Sequence, residues 1–488
     1  MPALQELKDK WFLSENQFDE YGLAIRHAGS LVSLHTDNNL VTVVGEGASY
    51  VEMWHDLIEV AKSIPGTILF HTGWDINDFQ TIPGDPNSLA LRMLIDAAQN
   101  QVDVYVLMNH GLLPNPRTDR EAVIEMLKAN GVIANFNMNY PSAGSSHQKF
   151  FVSKFSGQEA TALVGSCDVA AWNQLPFIHE IGIRIEGPAV FDIEQTFIET
   201  WNSPINSFSQ NIISSVANYA DKGPHSVQVL RTNAIQTFPP SGEFSIWCAY
   251  LNAIKNAESY IYLEDQYFQS FDWPPCFERG PADPKDMARN TDLVYQLGKA
   301  IERGVKVAVL TNYLEEGTYY RGGYFTQVIN YQREYSVQYL LAVAAGEPAL
   351  DSGGDFIVGR LQQNPNINHS YIHSKLMLVD DEFSIIGSSN FDQRSMTHDN
   401  ELSVGIVDRD NEFTRILRIG LLQEHLQISD PVLGGLEDWD QSLDQLKAYI
   451  TNGLGNVRPF EITGESTATH GMTLRKIVEP YAGPPQLR

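Results

Sequence analysis

A histidine and a lysine separated by one residue occur twice in this 488-residue chain, as His147-Gln148-Lys149 and His373-Ser374-Lys375. Each pair opens an apolar run, FFV after Lys149 and LMLV after Lys375. A Gly-Ser turn follows each run, VGSCD at 164–168 and IGSSN at 386–390. A glutamate comes next, Glu180 ahead of IGIRI and Glu401 ahead of LSVGI. Two imidazoles and two ammonium groups delivered by equivalent elements suit phosphate-ester chemistry. A phosphodiester is anionic, and Lys149 and Lys375 can stabilise the charge on its oxygens. One neutral imidazole can attack phosphorus to give a phosphohistidine. The other, protonated, can deliver its proton to the departing alcohol and then take one from water or a second alcohol. A histidine supplies either form after a small shift. A carboxylate on the far ring nitrogen would fix the tautomer, and Glu180 and Glu401 stand at equivalent places for that task. Ser166 and Asn390 are turn formers by default and candidates for hydrogen bonds to phosphate oxygens. The lysines do the work of a cation, so the scheme requires neither metal nor cofactor. A single His-x-Lys is usually a solvated strand end; the matched repetition makes it a site.

The repetition extends upstream of both pairs. WHDLIEVAKSIPGTILFHTGWD at 54–75 and AYLNAIKNAESYIYLEDQYF at 249–268 each show helical spacing, a turn and a β-rich run. Trp74 and Gln266 follow these β-runs at matching places and are candidates for a pocket floor. Next come LALRMLIDAAQN with VDVYVLMN, and LVYQLGKAIERG with VKVAVLTN. The alternation predicts α/β layering with a parallel or mixed sheet. Amphipathic stretches FDIEQTFIETW and FTRILRIGLLQEHL lie beyond the glutamates. The expected units are therefore 1–215, 225–430 and an unmatched extension at 431–488 that opens with a helix, DWDQSLDQLKAYI, and ends in a Gly/Pro-rich tail. Residues 271–286 and about 351–370 read as irregular surface loops. The tyrosines of 319–339 and Trp273 suit a choline cage or an interface belt, against a default of ordinary packing.

Composition narrows the partners. Thirty-three basic residues against 60 acidic ones give a formal charge of −27. Such a field repels polyanions and argues against nucleic acid and strongly anionic membranes. A zwitterionic or neutral surface stays allowed, and a saline habitat would explain the acidity equally well. Three cysteines without a C-x-x-C make neither a disulfide scaffold nor a structural zinc site. No stretch is long and apolar enough to span a bilayer, and the first residues carry no apolar signal core. The expectation is a soluble monomer, cytoplasmic or secreted.

The second copy, HSKLMLVD with GSSN downstream, resembles the HxKxxxxD signature of the phospholipase D superfamily. The paired layout covers most of the chain, and VQVLRT at 227–232, YLEDQYF at 262–268 and the EHL of 424–426 are similar to phospholipase D proper. The resemblance implies two duplicated α/β domains, each a mixed sheet flanked by helices, with the active site between them. It implies His147 as nucleophile, His373 as general acid and base, Asp380 as a structural aspartate, and a phospholipid at a membrane or micelle surface as substrate. The activity implied is head-group hydrolysis with alcohol exchange; a phosphatidyltransferase, a nuclease of the same superfamily and a decayed lipid-binding scaffold are the alternatives. Two positions depart from the signature in the first copy. Lys154 stands where the signature has aspartate, and Asp168 where it has asparagine. A carboxylate at 168 facing the pocket would repel phosphate unless protonated, paired with Lys149 or turned away.

Overall fold

The computed structural model describes residues 3–111, 119–155, 159–212, 219–270, 290–312, 324–363, 370–432, 434–462 and 481–484. Trp273, Cys276 and the tail beyond residue 462 up to 480 lie outside them, as do Tyr319 and Tyr320. Among the described residues sixteen strands join in one mixed sheet, and helices cover both faces.

The sheet reads as one strand order used twice. In the first half Thr36–Gly45 is followed across the sheet by Gly182–Glu186, Ala160–Gly165, Phe150–Lys154, Ile68–Gly73, Asp103–Asn109 and Ile133–Asn137. In the second, His225–Asn233 is followed by Glu401–Asp408, Phe383–Gly387, Leu376–Val379, Tyr260–Asp265, Lys306–Thr311 and Asp355–Leu361. The two series meet where Thr36–Gly45 pairs antiparallel with His225–Asn233, Thr36 opposite Val227 and Asn39 opposite His225. Beside the second seam strand, all eight residues of Glu401–Asp408 are buried, without the alternation of buried and exposed positions that a half-exposed strand would show.

One apolar core runs under the seam on one face. It packs Ile193 and Phe197 of helix Ala189–Trp201 with Leu417 and Leu422 of helix Phe413–Leu426 over strand residues of both halves. On the other face there are two cores. Helices Gly47–Lys62, Ala90–Gln99 and Arg120–Ala129 cover the first half, and Ser245–Asn256 and Leu293–Glu302 the second. The amphipathic helices read from sequence are these elements, each presenting its apolar stripe to the sheet.

One expectation is corrected. Residues 351–370 are not a loop throughout: Asp355–Leu361 is a strand, parallel to Lys306–Thr311 and antiparallel to Val457–Pro459. Gly353-Gly354 before it and the Asn/Pro-rich run after it mask its alternation. The neighbouring strand edge supplies the hydrogen bonds that local pattern does not announce. The extension after residue 430 thereby joins the sheet, with helix Trp439–Asn452 packed over it.

Candidate functional site

The two His-x-Lys segments enter the seam at the ends of strands Phe150–Lys154 and Leu376–Val379. Each is held by backbone pairing to the other half. Ser146 bridges in parallel to Asn400, and Ile372 to His179. The His147 N–H donates to Asn400 O at 2.8 Å, and the His373 N–H to His179 O at 2.8 Å. Since Asn400 precedes Glu401 and His179 precedes Glu180, each bridge sets a histidine beside the glutamate of the opposite half.

The side chains complete this exchange. His147 Nδ1 lies 2.9 Å from Glu401 Oε1, and His373 Nδ1 lies 2.8 Å from Glu180 Oε1. Both rings therefore keep Nε2 for other work. Both glutamates are fully buried. Ser388 donates its hydroxyl to Glu401 Oε2 at 2.5 Å, and Ser166 makes the equivalent bond to Glu180. Ser166 also accepts the Ile181 N–H at 3.0 Å, as Ser388 accepts that of Leu402 at 3.1 Å. The hydroxyl of Ser166, a candidate for phosphate contact, thus bonds to the buried Glu180. Asn390, by contrast, is buried with its Oδ1 unbonded among the described residues.

The lysines are buried at 1% exposure each. Lys149 Nζ donates to His147 O at 3.1 Å, and Lys375 Nζ to His373 O at 2.5 Å. Their fields cross the seam. Burial first, and then Lys149 and Lys375 together, hold His147 well below its ordinary range. Burial and both lysines likewise bring His373 down to about 3 against the pull of Glu180. Burial and Lys149 lower Lys375 to about 8, with Glu180 opposing. The two lysines would favour an anionic phosphate between the rings.

Asp168 is paired, not free. Its Oδ2 lies 3.6 Å from Lys149 Nζ, and its Oδ1 accepts the Trp74 N–H at 2.7 Å. Burial raises its carboxyl to about 6 although Lys149 pulls the other way. Trp74 sets its ring edge-on to His147, with centroids 5.6 Å apart. Gln266 accepts from Lys375 Nζ at 3.0 Å and donates to the Tyr371 hydroxyl at 2.8 Å. Asp380 lies away from the histidines and accepts the N–H groups of Glu258, Ser259 and Tyr260, each at 2.9 Å. Lys154, at the equivalent place, pairs instead with Glu194 at 2.6 Å.

Four residues with a part in this arrangement went unread in the sequence. Ser388 was available from its offset, the same as Ser166 in the Gly-Ser turn. Asn173 donates its amide to Glu180 from a one-turn 3-10 segment, Ala171–Gln174, which has no sequence signal. Asp265 stands one residue before Gln266 and Asp399 two before Glu401, and neither belongs to a repeated pattern.

Residues 250–418 match the family model described as "Cardiolipin synthase, PLD-like domain". Phospholipase D alpha 1 of Arabidopsis thaliana is 26% identical over 336 residues, covering 54% of this chain and 39% of that relative. Phospholipase D beta 1 of the same plant is 24% identical over 339 residues, covering 54% of this chain and 30% of its own length. The chain thus spans well under half the length of these plant relatives. Among solved structures, phosphatidylserine synthase of Haemophilus influenzae Rd KW20 has a TM-score of 0.52 at 13% identity, covering 86% of this chain and 95% of that one, a likeness of fold. Two His-x-Lys segments at one seam, the match of residues 250–418 and the similarity to plant phospholipases D all support the phospholipase D superfamily.

Proposed function

We propose that this protein is a phospholipase D. It would cleave the head-group phosphodiester of a phosphatidylcholine-like lipid to phosphatidic acid and a free alcohol, and transfer the phosphatidyl group to added alcohols. The observation that carries this reading is the crossed pairing of His147 with Glu401 and His373 with Glu180. It presents two Nε2 atoms to a seam whose charge is set by two buried lysines. In the first step one Nε2 forms a bond to phosphorus as the alcohol oxygen leaves with a proton from the other ring. In the second, water or an alcohol gives that ring its proton and displaces the first histidine. Lys149, Lys375 and Asn390 would hold the non-bridging oxygens. The units 1–215 and 225–430 would be the two copies of a duplicated domain, with 431–488 bracing the second.

A transferase reading is favoured by one observation, the family model of cardiolipin-synthase type over 250–418. Both readings share the covalent step and differ in acceptor. The test incubates purified protein with phosphatidylcholine vesicles, with and without ethanol, and with glycerol or serine as acceptors. Phosphatidic acid, and phosphatidylethanol when ethanol is present, are expected. Product only with glycerol or serine would transfer the assignment to a phosphatidyltransferase. Neither product, with turnover of another diester, would end the lipid reading.

A further inference from the structure

Behind His373 lies a second cluster that the proposed chemistry does not use. His179 Nε2 is 2.9 Å from Glu264 Oε2. Glu264 is buried and also receives His425 Nε2 at 2.7 Å, the Ser374 hydroxyl at 2.6 Å and the Tyr262 hydroxyl at 2.7 Å. The Glu264 contact occupies Nε2 of His179 and leaves Nδ1 directed to the other side of the ring.

That Nδ1 is buried, with no hydrogen-bond partner among the described residues, on a residue only 1% exposed. It looks out at two carboxylates, Glu424 Oε1 at 3.5 Å and Glu46 Oε1 at 3.7 Å. These separations are too long for hydrogen bonds. They match two donors on one ion, since metal bonds of about 2.1 Å at a tetrahedral angle set ligand atoms about 3.4 Å apart. All three donor atoms lie within 4.8 Å of one another. Among the described residues neither carboxylate pairs with a lysine or arginine. The amide of Gln363 spans both, its Nε2 at 2.9 Å from Glu424 Oε1 and 3.2 Å from Glu46 Oε1. A half-turn of that amide would present its oxygen as a fourth donor.

We propose that Glu46, His179 and Glu424 bind a transition-metal dication of the zinc or manganese class. An imidazole nitrogen with two carboxylate oxygens suits such ions better than calcium or magnesium, which prefer oxygen alone. The Glu264 contact to the far nitrogen of His179 is the outer support that metal-bound histidines ordinarily have. Glu46 and His179 come from the first half of the chain and Glu424 from the second, so the ion would tie the halves together. Its effect would reach the site through backbone, because His179 O accepts the N–H groups of His373 at 2.8 Å and Ser374 at 2.9 Å.

The test uses the full chain stripped of metal by chelator and titrated calorimetrically with Zn²⁺, Mn²⁺ and Ca²⁺. One Zn²⁺ or Mn²⁺ per chain is expected, bound at least tenfold tighter than Ca²⁺, with a rise in Tm on loading. In Glu46→Gln/Glu424→Gln, whose changes lie at the solvent rim, binding should weaken at least tenfold and the rise in Tm disappear. No binding by the wild type would overturn the proposal, as would tight binding that the double variant leaves unchanged. A preference for Ca²⁺ would overturn the donor assignment. The readout is binding and stability, so it is independent of whether the protein hydrolyses phospholipids.

Discussion

Lys149 and Lys375 occupy equivalent strand ends, and each is attended by a buried carboxylate, but the carboxylates come from opposite positions. Register fixes the equivalence: Thr72 faces Phe150, next after Lys149, and Glu264 faces Leu376, next after Lys375. Gly73 therefore corresponds to Asp265, while Asp168 corresponds to Asn390. In the second half the acid is on the strand end, where Asp265 accepts the Phe391 N–H at 2.8 Å and its field acts on Lys375. In the first half it is on the turn, where Asp168 accepts from Trp74 on the strand end. A side chain at 73 would meet Asp168 Oδ1 at 2.9 Å, so glycine makes the room. The departure from signature at 168 is thus one side of an exchange that leaves one acid between strand end and turn in each half. A motif read one half at a time shows a defect; the two halves together show conservation of charge.

The largest test of the comparison asks which histidine carries the covalent bond. His147→Ala and His373→Ala should each lower turnover by about 10³–10⁴-fold, because either loss stops the two-step reaction. His373→Asn should let a mild-acid-labile phosphatidyl adduct accumulate on His147, with no adduct in His147→Asn. An adduct on His373 would reverse the roles that the family resemblance assigns, and unchanged turnover in both variants would remove the site.

The exchanged carboxylate gives a smaller effect with a rescue. Asp168→Asn removes the buried carboxylate that faces Lys149 at 3.6 Å and should lower kcat about 10–100-fold, equivalent to about 1.4–2.7 kcal/mol of barrier. Gly73→Asp alone should do as badly, since it places a second acid against the first. The double variant Gly73→Asp/Asp168→Asn copies the second half and should recover most of the activity, a coupling between neighbours that additive effects would not give. If the double variant is the worst of the three, the equivalence drawn here is wrong.

How far this was readable in advance follows from what repeats. The helix–strand alternation, both His-x-Lys segments and both glutamates were legible because each half states them in the same order. The crossing of histidine to opposite glutamate was not, because two parallel bridges between distant segments, Ser146 with Asn400 and Ile372 with His179, create it. Pairing across some 200–250 residues leaves no trace in local pattern. The bond of Ser166 to Glu180 was hidden for a related reason: a serine in a Gly-Ser turn looks the same whether its hydroxyl faces a ligand or a buried glutamate. Asp168 and Asp265 needed strand register before either could be understood.

The two His–Glu pairs also differ in proton content, which yields the smallest effect. Glu180 lies near 2 despite burial, because His373, Lys375 and Ser166 favour its anion and Asn173 adds an amide donor. Glu401 is raised to about 8 by burial, with Asp399 opposing its ionisation and Lys149 only partly offsetting them. At neutral pH the His373–Glu180 pair therefore holds one proton, on Nδ1, and its Nε2 is free to attack. The His147–Glu401 pair holds two, one of them on Nε2, and is ready to donate. For His147 to act as nucleophile, its pair must pass one of those protons to His373, which then serves as the acid. That order uses the same three protons placed differently, so with either histidine attacking kcat/KM of the free enzyme should be level below about 8 and fall above it as the His147–Glu401 pair ionises. In Asp399→Asn one carboxylate that raises Glu401 is gone, so the falling limb should move to lower pH. A limb that stays in place would detach the profile from Glu401. The limb near pH 8 thus reports the proton shared by the two pairs, and the mapped adduct decides which histidine attacks.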